Sequence, residues 1–128
     1  QDAVLVGAGQ LGMALLAYGG FDEHGLRIAA AFDASEAVVG RSVAGKKILP
    51  VEKLPSLFGR MGVHLGIITV PAAAAQGVCD TLVDAGILAI WNFAPVHLSV
   101  PEGVLVENEN MAASLGMLSR HLAQAQEA

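Results

Sequence analysis

The chain has 128 residues, 54% of them hydrophobic and only 15% charged, which is the length of one domain and the composition of a sheet covered on both faces. Seven basic residues stand against twelve acidic ones, a net charge of −5, which argues against phosphate-gripping DNA contacts on this segment. One cysteine, Cys79, rules out an intrachain disulfide and fits a reducing cytoplasm. There is no secretory signal pattern, and the longest apolar run, Leu65 to Ala75, is broken by Pro71, well short of the roughly 20 residues that span a bilayer, so no membrane partner is expected.

In chain order, Ala3 to Val6 is a short β-type run ended by Gly7. Gln10 to Gly20 reads as a helix, with Leu11, Ala14, Leu15 and Tyr18 at helical spacing and Gly19-Gly20 as its stop. Leu26 to Asp33 is a second buried strand, and residues 34–50 are mixed in character, with a short strand at Lys47 to Leu49. A helix over Val51 to Met61 is predicted to bury Leu54, Leu57 and Phe58. His64 to Val70 is the clearest central strand, and Pro71 suits the first position of a helix that Gly86 ends. Strands at Ile87 to Phe93 and Val104 to Val106 follow, then a helix from Glu109 to Gln126. The alternation predicts an α/β fold, a Rossmann-type doubly wound parallel sheet with a C-terminal helix.

The motif with most force is Gly7-Ala8-Gly9-Gln10-Leu11-Gly12, because it follows a strand and opens a helix. In that context the first glycine permits a tight turn, the second lets the backbone approach a pyrophosphate, and the third lets helix and strand pack closely. The helix N-terminus then holds the anion. Asp33 ends the second strand, 21 residues past Gly12, where an acid accepts hydrogen bonds from the adenosine ribose. A carboxylate there repels a 2′-phosphate, which predicts NAD(H) in preference to NADP(H). The alternatives are a solvated carboxylate at Asp33 and a glycine-rich turn that binds nothing. Thr69-Val70-Pro71 and Asn92-Phe93-Ala94-Pro95 close the next two strands, where the nicotinamide half is expected; ordinary loop chemistry is the other reading of each.

These residues carry a family resemblance. Gly7 to Phe21, Phe32-Asp33, Thr69-Val70-Pro71, and Asn92 to Pro95 followed by Leu98-Ser99-Val100-Pro101-Glu102-Gly103 together resemble the Rex family of redox-sensing transcriptional repressors. The resemblance implies a homodimer that binds NADH and NAD⁺, releases its operator DNA on binding NADH, and exchanges its C-terminal helix between subunits. It divides the chain into an NAD(H)-binding domain, residues 1–108, and a dimerisation helix, residues 109–128. An N-terminal winged helix would contact the DNA, and the abrupt start at Gln1-Asp2 leads us to expect that such a part has been removed. The fold is shared with CoA-binding domains of succinyl-CoA ligases, so a CoA ligase or oxidoreductase fragment is the alternative function.

Met111, Leu115, Leu118 and Leu122 form one apolar seam on the last helix. On pattern alone that seam packs either on its own subunit or on a partner, and the resemblance favours exchange. The resemblance also places Tyr18 near the nicotinamide, with Asn110 and Met111 where the family has an acid and an aromatic residue. This departure shifts discrimination from charge towards packing; Tyr18 as core packing is the competing reading. No metal-ligand spacing is present, Cys79 reads as packing, and among His24, His64, His97 and His121 only His97 lies near the expected site, without a flanking carboxylate. The chain is therefore not expected to be an enzyme.

Overall fold

Ala3, Val4, Leu5 and Val6 are at most 1% exposed, as expected of a strand sandwiched in the middle of a sheet. In the computed structural model they belong to β1 (Asp2–Val6), flanked by β2 (Arg27–Asp33) and β5 (Leu65–Ile68), both parallel to it. The structure describes residues 1–109 and 111–127, with the side chains of 111–116 and 127 outside that description. β4 (Lys46–Pro50) extends the sheet beyond β2, while β6 (Ala89–Asn92) and β7 (Leu105–Asn108) extend it beyond β5, all in parallel. The expected all-parallel sheet needs one correction. A two-residue strand, β3 (Ser42–Val43), pairs antiparallel with β4 through Ala44-Gly45, both at positive φ, and two residues are too few to leave a periodic signal.

The strand order β3-β4-β2-β1-β5-β6-β7 reverses direction between β1 and β5, the switch point of a doubly wound sheet. Alternate residues of β1 divide the core. Val4, Val6, Phe32 and Ile68 face α2 (Leu54–Met61) and α3 (Ala72–Asp84), which bury Leu54, Phe58, Ala75, Cys79 and Leu82 against them. Ala3, Leu5, Ala31 and Ile67 face α1 (Gln10–Ala17), which buries Leu16. α4 (Met111–Glu127) follows β7, and Met117, Leu118 and Leu122 on it are exposed.

Predicted boundaries move by one to three residues, and three of the moves lie at helix ends with a local cause. The first helix stops at Ala17 rather than Gly20, because Tyr18 turns extended (ψ 118°) and residues 19–24 wind into a 3-10 helix. Pro71 precedes α3 instead of opening it, at φ −58° and ψ 154°, and Leu54 begins α2 after a short 3-10 turn at Val51–Lys53. Each shift is local capping that side-chain periodicity does not encode. Among the described residues no helix is long and apolar enough to cross a membrane.

Phe32 is fully buried between β1 and β4, whereas Leu88 stands 56% exposed ahead of β6. Phe32→Ala is expected to cost about 3–5 kcal/mol, and Leu88→Ala to stay within about 0.5 kcal/mol of the parent. Urea unfolding midpoints at constant m-value check both.

Candidate functional site

The carboxyl ends of the strands lie in register. Phe32, Val6, Ile68, Asn92 and Asn108 are lateral partners across β2, β1, β5, β6 and β7. The next residue of each strand therefore forms a row along one sheet edge: Asp33, Gly7, Thr69, Phe93 and Glu109. Backbone bonds continue the pairing one step beyond the strands, Gly7 N–H to the Phe32 carbonyl at 2.8 Å and Thr69 N–H to the Val6 carbonyl at 2.9 Å. The crevice opens where β1 hands over to α1 and β5 to α3.

Two of the three motif glycines answer to the protein itself. Gly7 has φ +110°, and a Cβ there would lie 2.7–2.8 Å from the Thr69 carbonyl carbon, the Thr69 hydroxyl and the Val70 nitrogen. A Cβ on Gly12 would overlap the Gly7 carbonyl, so α1 rests directly on the turn. Gly9 is different: its φ of −75° suits any residue, and a Cβ would meet nothing within 4 Å. The fold leaves open space there, beside the start of α1. Met13 N–H bonds the Gly9 carbonyl at 2.9 Å, so the amides of Gln10, Leu11 and Gly12 precede the first intrahelical bond, and no side chain caps them.

Asp33 reaches into this turn. Its Oδ2 accepts the Ala8 N–H at 2.6 Å and its Oδ1 accepts the Ser35 N–H at 2.7 Å, fixing the carboxylate at the rim of the crevice. Each oxygen retains a further lone pair for a ligand hydroxyl. Opposite, the Thr69 hydroxyl lies against the carbonyls of Val6 and Gly7 and is used in holding the turn. Val70 is half-buried and Pro71 exposed beside it.

On β6 the predicted residues divide by role. Asn92 is fully buried, with its amide spent on Ala94, Val96 and Asn108, so it shapes the edge of the crevice rather than facing it. Phe93 is half-buried and donates its N–H to the Ile68 carbonyl, Ala94 is buried, and Pro95 is exposed. Gln76 of α3 clamps the following loop by bonding both the N–H and the carbonyl of Ser99.

For Tyr18 the structure decides against one of the two readings. It is 57% exposed, which removes core packing, and it lies past the far end of α1, roughly 12 Å along the helix from the glycine turn at 1.5 Å per residue. A chain of aromatic contacts links it back: Tyr18 to Phe21 at 4.8 Å between ring centroids, Phe21 to Trp91 at 5.8 Å, and Trp91 to Phe93 at 4.7 Å. Gly20 permits this, since a Cβ there would run into the Tyr18 hydroxyl. Asn110 and the Met111 side chain, the other two predicted nicotinamide neighbours, lie outside the described residues.

Sequence reasoning missed several participants. Trp91, Ser35 and Gln76 carry no motif, and only tertiary structure makes them neighbours of the site. A cavity of about 200 Å³ at the far end of α1, lined by Leu15, Tyr18, Phe21, Leu26, Ile28 and Lys46, was equally invisible. His97 is exposed, and Cys79 is buried in α3, where burial pushes its thiol pKa up, with nearby Asp80 adding to the effect. Among the described residues no cluster of three potential metal ligands occurs.

Comparison with known proteins fits this geometry. The family model described as a CoA binding domain matches residues 1–96. The redox-sensing transcriptional repressor Rex of Streptomyces avermitilis is 46% identical over 118 residues, 92% of this chain and 47% of that protein. The chain belongs to the CoA-binding domain family, on its Rex branch. Crystal structures of RSP, a Rex-family repressor, superpose on this Rex-family domain at 34% identity over 98% of the chain. The complex of RSP with β-NAD⁺ and operator DNA gives a TM-score of 0.92, and that with β-NADH gives 0.91, with 58% and 60% of those chains covered. The chain spans about half the length of the curated Rex relatives it matches.

Replacing Thr69 by Val keeps the shape of the side chain and deletes the hydroxyl that braces the Gly7 turn. Thr69→Val is expected to destabilise the domain by about 1–2 kcal/mol. Chemical denaturation reads this, and an unchanged midpoint would mean that the hydroxyl braces nothing.

Proposed function

We propose that this chain is the NAD(H)-sensing and dimerisation part of a Rex-type transcriptional repressor. The observation that carries the reading is Gly9. Gly7 and Gly12 are explained by the packing of the turn, but the bare backbone at Gly9 faces open space where the protein needs no glycine. Room for a diphosphate beside uncapped helix amides explains it. The adenosine ribose would lie on Asp33, and the nicotinamide half would run along Thr69, Val70, Pro71 and the Asn92 to Pro95 edge, with Gln10 and Leu11 over the diphosphate.

The residues present fit this group. The cofactor supplies a ring that is a cation when oxidised and neutral when reduced. The protein supplies the anion-binding turn, a carboxylate fixed by Ala8 and Ser35, and an aromatic edge of Phe93 and Trp91. His97 is exposed and Cys79 is buried in α3, and the reading is a binding domain rather than an enzyme. The family description favours one alternative, CoA as ligand. CoA carries a 3′-phosphate on the adenosine ribose, and Asp33 would repel it as it would the 2′-phosphate of NADPH.

Dimerisation is assigned to residues 109–128, with residues 1–108 as the nucleotide unit. Support comes from α4, where Leu118 and Leu122 of the apolar seam are 61% and 58% exposed and so are free to pack on a second copy. Operator DNA is assigned to a part of the protein outside this chain, consistent with the net charge of −5 and with relatives about twice as long. A repressor of this kind works in the cytoplasm.

Calorimetry with NADH, NAD⁺, NADPH and CoA tests the reading. NADH should bind at least about tenfold more tightly than NADPH or CoA, corresponding to about 1.4 kcal/mol, and Asp33→Ser should narrow that gap. Failure of both nicotinamide forms to bind would overturn the assignment. For the dimer, Leu118→Asp with Leu122→Asp should yield a monomer by light scattering without loss of NADH binding.

A further inference from the structure

Asn92 is the one buried polar side chain among the described residues, and its four hydrogen bonds run in two directions. Towards the crevice, Nδ2 donates to the carbonyls of Ala94 (3.2 Å) and Val96 (3.1 Å), while Oδ1 accepts the Ala94 N–H at 3.0 Å. Towards β7, the same Nδ2 donates to Asn108 Oδ1 at 3.0 Å. An amide nitrogen has two hydrogens, so three acceptors share them, and tightening one contact weakens another. The backbone repeats the link, since the Asn92 carbonyl accepts the Glu109 N–H at 2.8 Å. Next to it, Trp91, in contact with Phe93, donates its indole N–H to Glu109 Oε1 at 3.3 Å. Residues 108 and 109 lead directly into α4, which starts at Met111.

We infer that Asn92 and Asn108 are positioning residues that couple occupancy of the crevice to α4. The inference rests on the dinucleotide reading above. A ligand pressing on the Phe93 to Val96 edge moves the Ala94 and Val96 carbonyls, redistributes the two Asn92 hydrogens, and releases or tightens the Asn108 bond at the root of the helix. The burial of Asn92 makes this transmission stiff, because a hydrogen that loses its partner on the Ala94 side is left unpaired. Asn108 itself is exposed and touches no proposed ligand position, so the arm can be cut without entering the crevice.

The test uses the whole chain. NADH affinity is measured by calorimetry, and hydrogen exchange of the amides of Met111–Glu127 is measured with and without NADH, for the parent, Asn108→Ala and Asn108→Asp. The parent should bind NADH and change α4 exchange. Asn108→Ala should keep NADH affinity within twofold yet lose at least two thirds of the exchange response. Asn108→Asp retains the acceptor oxygen and should restore it. A full response in Asn108→Ala, a parent that binds NADH with no change in α4, or loss of folding in Asn108→Ala by circular dichroism would each overturn the coupling. A parent that binds neither NADH nor NAD⁺ overturns the dinucleotide reading, and the coupling with it.

Discussion

Beyond the carboxyl ends of β1 and β5, Gly7 passes so close to Thr69 and Val70 that a Cβ on it would lie within 2.8 Å of their backbone. Any side chain at position 7 would hold the two strands apart, and any at position 12 would lift α1 off the turn. Everything proposed for the crevice depends on this approach. It sets the uncapped end of α1 at the switch point of the sheet, and it brings the Ala8 amide within reach of the Asp33 carboxylate. The Thr69 hydroxyl braces the arrangement from the β5 side. The site is therefore a property of packing first and of polar groups second.

That order explains which parts were legible in the sequence. The glycine turn and Asp33 could be read because backbone geometry dictates residue type at fixed spacing, and spacing survives without a structure. The central strands were legible because burial on both faces writes continuous apolar runs such as Leu65 to Ile68. The hydrogen bonds of Asn92 were not legible because a strand-end asparagine looks alike whether it meets a ligand or a loop carbonyl. Its partner Asn108 lies 16 residues away and carries no pattern. The early end of α1 at Ala17 was hidden too, since Tyr18 keeps helical spacing with Leu11 and Leu15 while its backbone turns extended.

The aromatic chain from Tyr18 to Phe93 shows how a fold can connect surfaces that no motif connects. Tyr18 and Phe93 lie 75 residues apart in the chain, at opposite ends of α1, yet two intervening rings join them. The first two contacts are edge-to-face and the third is tilted, and aromatic pairs have preferred geometries, so a tilt of one ring biases the next. The cavity at the far end of α1 takes Tyr18 and Phe21 as part of its wall, which places it in the same continuous packing.

The position of Cys79 has a chemical consequence. A thiol reacts with peroxides and disulfides as its thiolate, which is the nucleophile, and this one is both shielded from solvent and held towards its protonated form by burial. The domain is thereby insulated from oxidative damage at its single sulfhydryl. On the proposed reading, a redox state would then be sensed through reversible binding of the nucleotide, with no covalent change at this sulfur to reverse.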